Sequence, residues 1–493
     1  MTTAILLVMG SSRVRAGERV GGEGRQVTRT PMETESPTVR GDTPAPGGRR
    51  PRAWVEQPRA WRAAATTEPG RLRIVGALLA LLVVAFGAVT AWQITERSAA
   101  ADDVIHHSGP LSARAADIYR SLADADATAA GGFLAGGDDP AQDRERYARD
   151  IEIASRNIAE AAASSEDSAQ ARARLERLNQ RLSVYTGLVE RARANNRQGF
   201  PVGGAYLRRA NRMMNEEILP DAKQLWTIET ARLGEDYEDA KALPLAAWAL
   251  GAVGLGALVW AQRRSYRRTH RVFNPGMVAG TVATAVVLLW LVAGHGVARA
   301  KLDESYAHGA QSLQVLNEAR IQTLQARGNE NLTLVARGGG DAYSAAYDRQ
   351  LQGLAGTDAD GRTGLLAQAL DLADDDRGRK SITSAMEAAK AWWGLHGEAR
   401  TKDDEGNYLD AVAQTIGGTY EDGKRPEQYT GFCFDQVDTN LERAVAHEQQ
   451  EFERAAADGR GALGGLVPGA AALAVLGAAG AVLGIGRRLS EYR

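Results

Sequence analysis

Arg263-Arg264-Ser265-Tyr266-Arg267-Arg268-Thr269-His270-Arg271 places five arginines in nine residues between two long apolar runs. Leu243 to Gln262 (LPLAAWALGAVGLGALVWAQ) precedes it and Val272 to Ala298 follows it. At 1.5 Å per residue, each run is long enough to cross a hydrocarbon core of about 30 Å. The pair reads as a transmembrane hairpin, residues 243–262 and 272–298. The positive-inside bias holds the basic loop 263–271 in the cytoplasm.

Two more spans lie outward from this hairpin. Residues 71–95 carry Ile74 to Trp92 behind Arg59, Arg62, Arg71 and Arg73, and residues 466–486 are followed by a tail, 487–493, with Arg487, Arg488 and Arg493. All three basic clusters agree on a multi-pass plasma-membrane protein with both termini cytoplasmic. Two long segments, 96–242 and 299–465, then lie outside. Residues 1–70 are rich in Arg, Gly, Pro, Thr and Glu without apolar periodicity and read as a disordered cytoplasmic arm. Within it, Met32 opens a more ordinary start, and translation is expected to begin there or at Met1.

Composition narrows the function classes. The chain has 493 residues and a net charge of −2, so nucleic acid is not an expected partner. A single cysteine, Cys433, excludes an intrachain disulfide and a thiolate metal cluster. No nucleotide-binding loop, zinc-protease pair or nucleophile elbow appears. Asp358-Ala-Asp360-Gly361 begins like a calcium loop but lacks the later ligands, and His106 and His107 read as exposed stalk residues. The expectation is a protein that is not an enzyme and has no cofactor or bound metal. The apolar runs of the four spans, Ile74 to Trp92 in the first, contain no Asp, Glu, Lys or Arg, and His295 is the one ionisable group in that layer, which argues against ion-coupled transport.

Both outside segments read as helical throughout. In the first, stretches 111–134, 141–163, 168–195 and 206–241 are separated by Gly/Asp/Pro and Ser/Asp breaks. The third carries a two-in-seven seam, Leu175, Leu178, Leu182, Tyr185, Val189 and Ala192. Adding 207 gives Ile382, Ala385, Ala389, Trp392, His396 and Ala399, the same rhythm in the second segment. The fold expected is all-α: four transmembrane helices carrying two extracytoplasmic up-down four-helix bundles, at 96–242 and 299–465. Internal duplication would relate them by a pseudo-twofold axis along the membrane normal. Convergence of two Ala/Leu-rich segments is the alternative. Small-residue pairs Gly76/Ala80, Ala252/Gly256, Gly276/Gly280 and Gly480/Gly484 suit close helix approach in lipid.

Binding candidates are Arg193, Tyr206, Arg208 and Arg209 in the first segment, and Trp393, His396 and Arg400 in the second; His396 lies on the seam and the arginines off it. The arginines suit a carboxylate or an acidic surface; a solvated face with local charge pairs is the competing reading. Arg263, Arg264, Arg267, Arg268 and Arg271 set topology and suit lipid headgroups or a partner.

Val184-Tyr-Thr-Gly-Leu-Val-Glu-Arg-Ala-Arg193, Asn196-Arg-Gln-Gly199, Gly204-Ala-Tyr-Leu207 and Met213-Met-Asn-Glu-Glu-Ile-Leu-Pro220 resemble an actinobacterial family of four-span membrane proteins. That family is similar to GlnX, which works with the amino-acid-binding lipoprotein GlnH and the Ser/Thr kinase PknG. The resemblance covers the topology and most of the first segment. It implies a receptor that senses Asp or Glu through a GlnH-like solute-binding protein and informs a PknG-like cytoplasmic kinase, with membrane lipids and a second copy of the chain as further partners. A structural or scaffolding envelope protein, or a chemoreceptor-like direct sensor of a small molecule, are the alternatives.

Overall fold

The computed structural model describes residues 68–136, 140–165, 168–269, 275–356 and 363–490, and among them every regular element is a helix. The N-terminal arm up to residue 67, Arg271, the Asp358-Ala-Asp360-Gly361 stretch and the last three residues lie outside the described residues, as does the Arg268 side chain. The chain reads α1 (Glu68–Asp103), α2 (Gly109–Leu134), α3 (Ala141–Ser164), α4 (Ala169–Arg197), α5 (Val202–Met213), α6 (Leu219–Lys241) and α7 (Leu245–Thr269). It continues with α8 (Pro275–Glu304), α9 (Gln311–Val335), α10 (Asp341–Ala355), α11 (Leu365–Leu372), α12 (Asp376–Asp404), α13 (Tyr408–Ile416), α14 (Thr430–Gly464) and α15 (Leu466–Ser490).

Among the described residues, four long helical rods are apolar enough to cross a membrane. The first, Arg73–Leu134, has 62 residues, roughly 93 Å at the helical rise. It runs from α1 into α2 through a π-helical turn at Val104–Ser108, and α8 runs into α9 through a matching turn at Ser305–Ala310. A wider turn keeps the rod continuous while shifting the register of the faces on either side. The chain therefore has the make-up of a multi-pass membrane protein. Its spans α1, α7, α8 and α15 close a ring in which each packs on the next and α15 returns to α1. Leu81, Leu289 and Leu483 face outward at 65%, 71% and 71% exposure, as side chains bathed in lipid would.

Small residues set the closest approach. A Cβ on Gly276 would lie 2.4 Å from the Gly480 carbonyl oxygen and 2.6 Å from Gly484 Cα. Two of the expected small-residue pairs thus meet each other across α8 and α15. Ala252 and Gly256 instead face outward. The basic stretch is not a loop along most of its length: residues 263–269 prolong α7 as helix.

Segments 96–242 and 299–465 stand on the same end of the span ring. In the first, α2, α3, α4 and α5–α6 pack as a four-membered ring. The α4 seam is buried as its spacing requires, with Ala171 and Leu188 added. In the second, α9, α10–α11, α12 and α14 form the corresponding ring, and the buried residues of α12 are the shifted seam plus Gly378. This segment is more broken than an ideal four-helix plan. Gly356 and Gly417 leave α10 and α13 at φ of 87° and 85°, a left-handed region that glycine enters without steric cost.

The two segments share one hydrophobic core rather than standing apart. Helix α2 lies against α9, where Gly328 faces Ala127 closely enough that a Cβ would sit 3.5 Å from Ala127 Cα. Flanked on all sides, α9 is buried at almost every position from Ala319 to Val335.

Candidate functional site

A cleft of about 440 Å³ opens between the halves, lined by α2, α6, α9 and α14. Arg120 and Arg320 line it together with Asp117, Glu442, Asn317 and Gln449. Toward the spans, Leu233, Leu313 and Phe452 give it an apolar wall. Each of these helices runs on into a span: α2 from α1, α6 into α7, α9 from α8 and α14 into α15. Each wall of the cleft is thus connected along the chain to a membrane helix.

Above the cleft an ion-pair chain fastens the halves together. Arg146 on α3 donates to both oxygens of Asp124 at 3.0 and 3.1 Å and to Asp438 on α14 at 3.3 Å. Arg320 donates to Asp438 at 2.7 Å and reaches Glu442 at 3.3 Å. Burial would raise the Asp438 pKa, but Arg320 and Arg146 hold it below the ordinary carboxylate value. Glu442 is 62% exposed and is the loose end of the chain. Arg120 pairs with Asp117 at 3.6 Å.

Farther from the spans, each half aims a seam aromatic at a buried acid on its first helix. In the first, Asp126 accepts from the Tyr185 hydroxyl at 3.1 Å and from Asn211 at 2.6 Å. In the second, Glu330 accepts from Trp392 Nε1 at 3.0 Å, from Arg327 at 2.5 Å and pairs with His396 Nδ1 at 3.0 Å. Tyr185 and Trp392 are seam equivalents, so the parallel is one of position. The electrostatics are opposite. Burial lifts Asp126 from 3.8 to about 6, against the pull of its amide and hydroxyl donors. Burial acts on Glu330 as well, but Arg327 and His396 outweigh it and hold its pKa below the ordinary value.

The raised Asp126 value has a sign that can be worked out. A carboxyl that binds its proton more tightly when folded contributes most below pH 3.8, and that contribution is lost as pH rises toward 6, about 3 kcal/mol in all. Asp126→Asn is therefore expected to be more stable than the wild type above pH 6, with a flatter stability profile between pH 4 and 6. Denaturant unfolding across that range checks it; an unchanged slope refutes it.

The sequence-derived candidates do not converge on one site. His396 joins the Glu330 cluster and is buried. Arg193 lies over the Tyr147 ring at 4.2 Å and pairs with Glu190. Tyr206 packs half-buried against the core, Arg208 is half-buried near Tyr343 of the other half, and Arg209 is exposed. Trp393 is 37% exposed. Arg400 bonds Asp403 and Asp404 beside a second cleft that includes Arg337 and Tyr408. Arg263, Arg264 and Arg267 are exposed on the last turns of α7. Sequence reading missed Asp124, Asp126, Arg320, Arg327 and Glu330. The available signal was a run such as Ser121-Leu-Ala-Asp-Ala-Asp-Ala-Thr128, in which Asp126 has no basic neighbour one turn away on its own helix.

Residues 100–238 match the family model described as an actinobacterial sensor domain. The match spans the first half from the end of α1 nearly to the end of α6, including the α2 and α6 walls of the cleft. No curated protein and no solved structure matches the chain.

Proposed function

We propose that the chain is a non-enzymatic plasma-membrane receptor that reads a small zwitterion, an amino acid such as Asp or Glu, in the cleft between its halves. The signal then passes along the four cleft helices to a separate cytoplasmic partner, a Ser/Thr kinase being the expected class. One observation carries this: the four walls of the cleft are the four helices that continue into the spans. Guanidinium groups for a carboxylate and carboxylates for an ammonium lie in the same cleft. A ligand carboxylate would displace the exposed Glu442 from Arg320 and so slacken the clasp between α9 and α14. The matching π-turns and the seam repeat support an origin by duplication, with the single chain imitating a receptor dimer. With the basic stretch in the cytoplasm, the halves face outward.

A second reading is favoured by the end remote from the spans. Phe200 and Val202 in the first half and Leu409 and Phe432 in the second are exposed there, a surface on which a solute-binding lipoprotein would deliver the amino acid. Calorimetry on the purified full-length chain separates the two. Direct reading requires saturable Asp or Glu binding that Arg120→Gln weakens about 10- to 100-fold, the worth of one charge-assisted hydrogen bond. No saturable binding to the chain alone removes the direct reading; no binding of an amino-acid-loaded lipoprotein removes the second.

A further inference from the structure

On the face of α14 turned away from the cleft, His447 and Glu451 stand one helical turn apart and meet Asp375, the N-cap of α12. His447 Nε2 lies 2.8 Å from Asp375 Oδ2 and 3.6 Å from Glu451 Oε1. One ligand atom from each of the three residues falls within 4.8 Å of the others. The second oxygen of Asp375 accepts the Gly378 amide at 2.7 Å, which fixes the carboxylate and leaves Oδ2 turned to the imidazole. A second observation is independent of this triad. Glu448 is 1% exposed, and neither of its oxygens has a hydrogen-bond partner of good geometry, although the Ser312 hydroxyl lies near enough to favour its charge. Its Oε1 and Asp375 Oδ1 crowd the same point, 3.1 and 3.3 Å from where a Gly378 Cβ would be. A buried acid left without a donor costs free energy, which a cation would recover.

We infer that Asp375, His447 and Glu451, with Glu448 beside them, form a binding site for a divalent transition metal, Zn2+ being the best match to one imidazole among carboxylates. The spacing of His447 and Glu451 presents both ligands on one helical face, and Asp375 brings the third from a different element, so the metal would pin the α11–α12 connection to α14. That connection also touches the π-turn above α8: His308 Nδ1 lies 3.4 Å from the Leu372 carbonyl oxygen. The neighbouring cleft is bordered by Ser305, His308, Asp374 and Glu451. Occupancy would therefore stiffen the join between the helical domain and a span. The triad is partly open, with Asp375 and Glu451 side chains 38% and 30% exposed, so an ion can reach it.

The test uses the purified full-length chain in detergent, stripped with chelator and titrated with Zn2+. One Zn2+ per chain is expected, with neither Ca2+ nor Mg2+ competing at equal concentration. His447→Gln keeps a hydrogen-bond donor for Asp375 and is expected to lose more affinity than the about 10- to 100-fold typical of an outer-shell partner; Glu451→Gln should do the same with unchanged helical circular dichroism. X-ray absorption of the loaded wild type should show an imidazole nitrogen among oxygens and no sulfur. Absence of stoichiometric binding, variants that bind as the wild type does, or a spectrum lacking imidazole would each overturn the site. None of these readouts depends on amino-acid binding.

Discussion

Glu330→Ala is expected to destabilise the protein by about 3–5 kcal/mol, the usual cost of removing one partner from a buried ion pair. The side chain is 1% exposed and the Arg327 side chain 10%, so the guanidinium left behind cannot regain water. Arg327 keeps the Thr430 hydroxyl and the Thr415 carbonyl, which satisfy hydrogens but not charge. Trp392 Nε1 and His396 Nδ1 lose their acceptor at the same time. Glu330→Gln retains an acceptor for Trp392 and should cost less than the alanine variant. Because the folded pKa of Glu330 is depressed, its contribution is present above the ordinary glutamate value of 4.5 and is lost as pH falls through the folded value. Acid should therefore weaken the second half at Glu330 where it favours the first at Asp126. Denaturant unfolding of the two glutamate variants at neutral pH decides the matter, and a loss below about 1 kcal/mol would mean that the cluster is not a paired charge.

Gly276→Val should separate two spans. The new Cβ would fall on backbone atoms of Gly480 and Gly484, which have no side chain to swing aside. Helices α8 and α15 would have to part by about an ångström along the seam, and overpacking of this kind costs about 1–3 kcal/mol or more. In lipid, where close contact supplies much of the association energy, the effect falls on span assembly itself. Gly256→Val is the matched control, because a Cβ there meets nothing within 4 Å. Thermal unfolding in detergent should show a clear loss for Gly276→Val and next to none for Gly256→Val. Equal behaviour of the two would show that the glycine contact is not a fixed feature of the span ring.

The chain from Asp124 through Arg146 and Asp438 to Arg320 joins α2, α3, α9 and α14 and ends at the cleft. Under the proposed function, a ligand competing for Arg320 or Arg120 would act where the two halves are fastened, on helices that continue into α8 and α15.

The four apolar runs, the basic stretch at the end of α7 and the seams of α4 and α12 were legible in the sequence, because length, charge and heptad spacing are local properties of a helix. Tyr185 and Trp392 could be assigned to a core on that ground alone. What faces them could not. Asp126 becomes a proton-binding acid through its burial against other helices, and Glu330 a paired anion through Arg327 on its own helix and His396 on another. The merging of both segments into one core at Ala127 and Gly328, the choice of Gly276 over Gly256 as a contact, and the meeting of Asp375 with His447 are likewise tertiary. A helical period says which face of a rod is turned inward, whereas a charge or a close approach takes its meaning from the second rod, and that pairing is settled only when the whole chain packs.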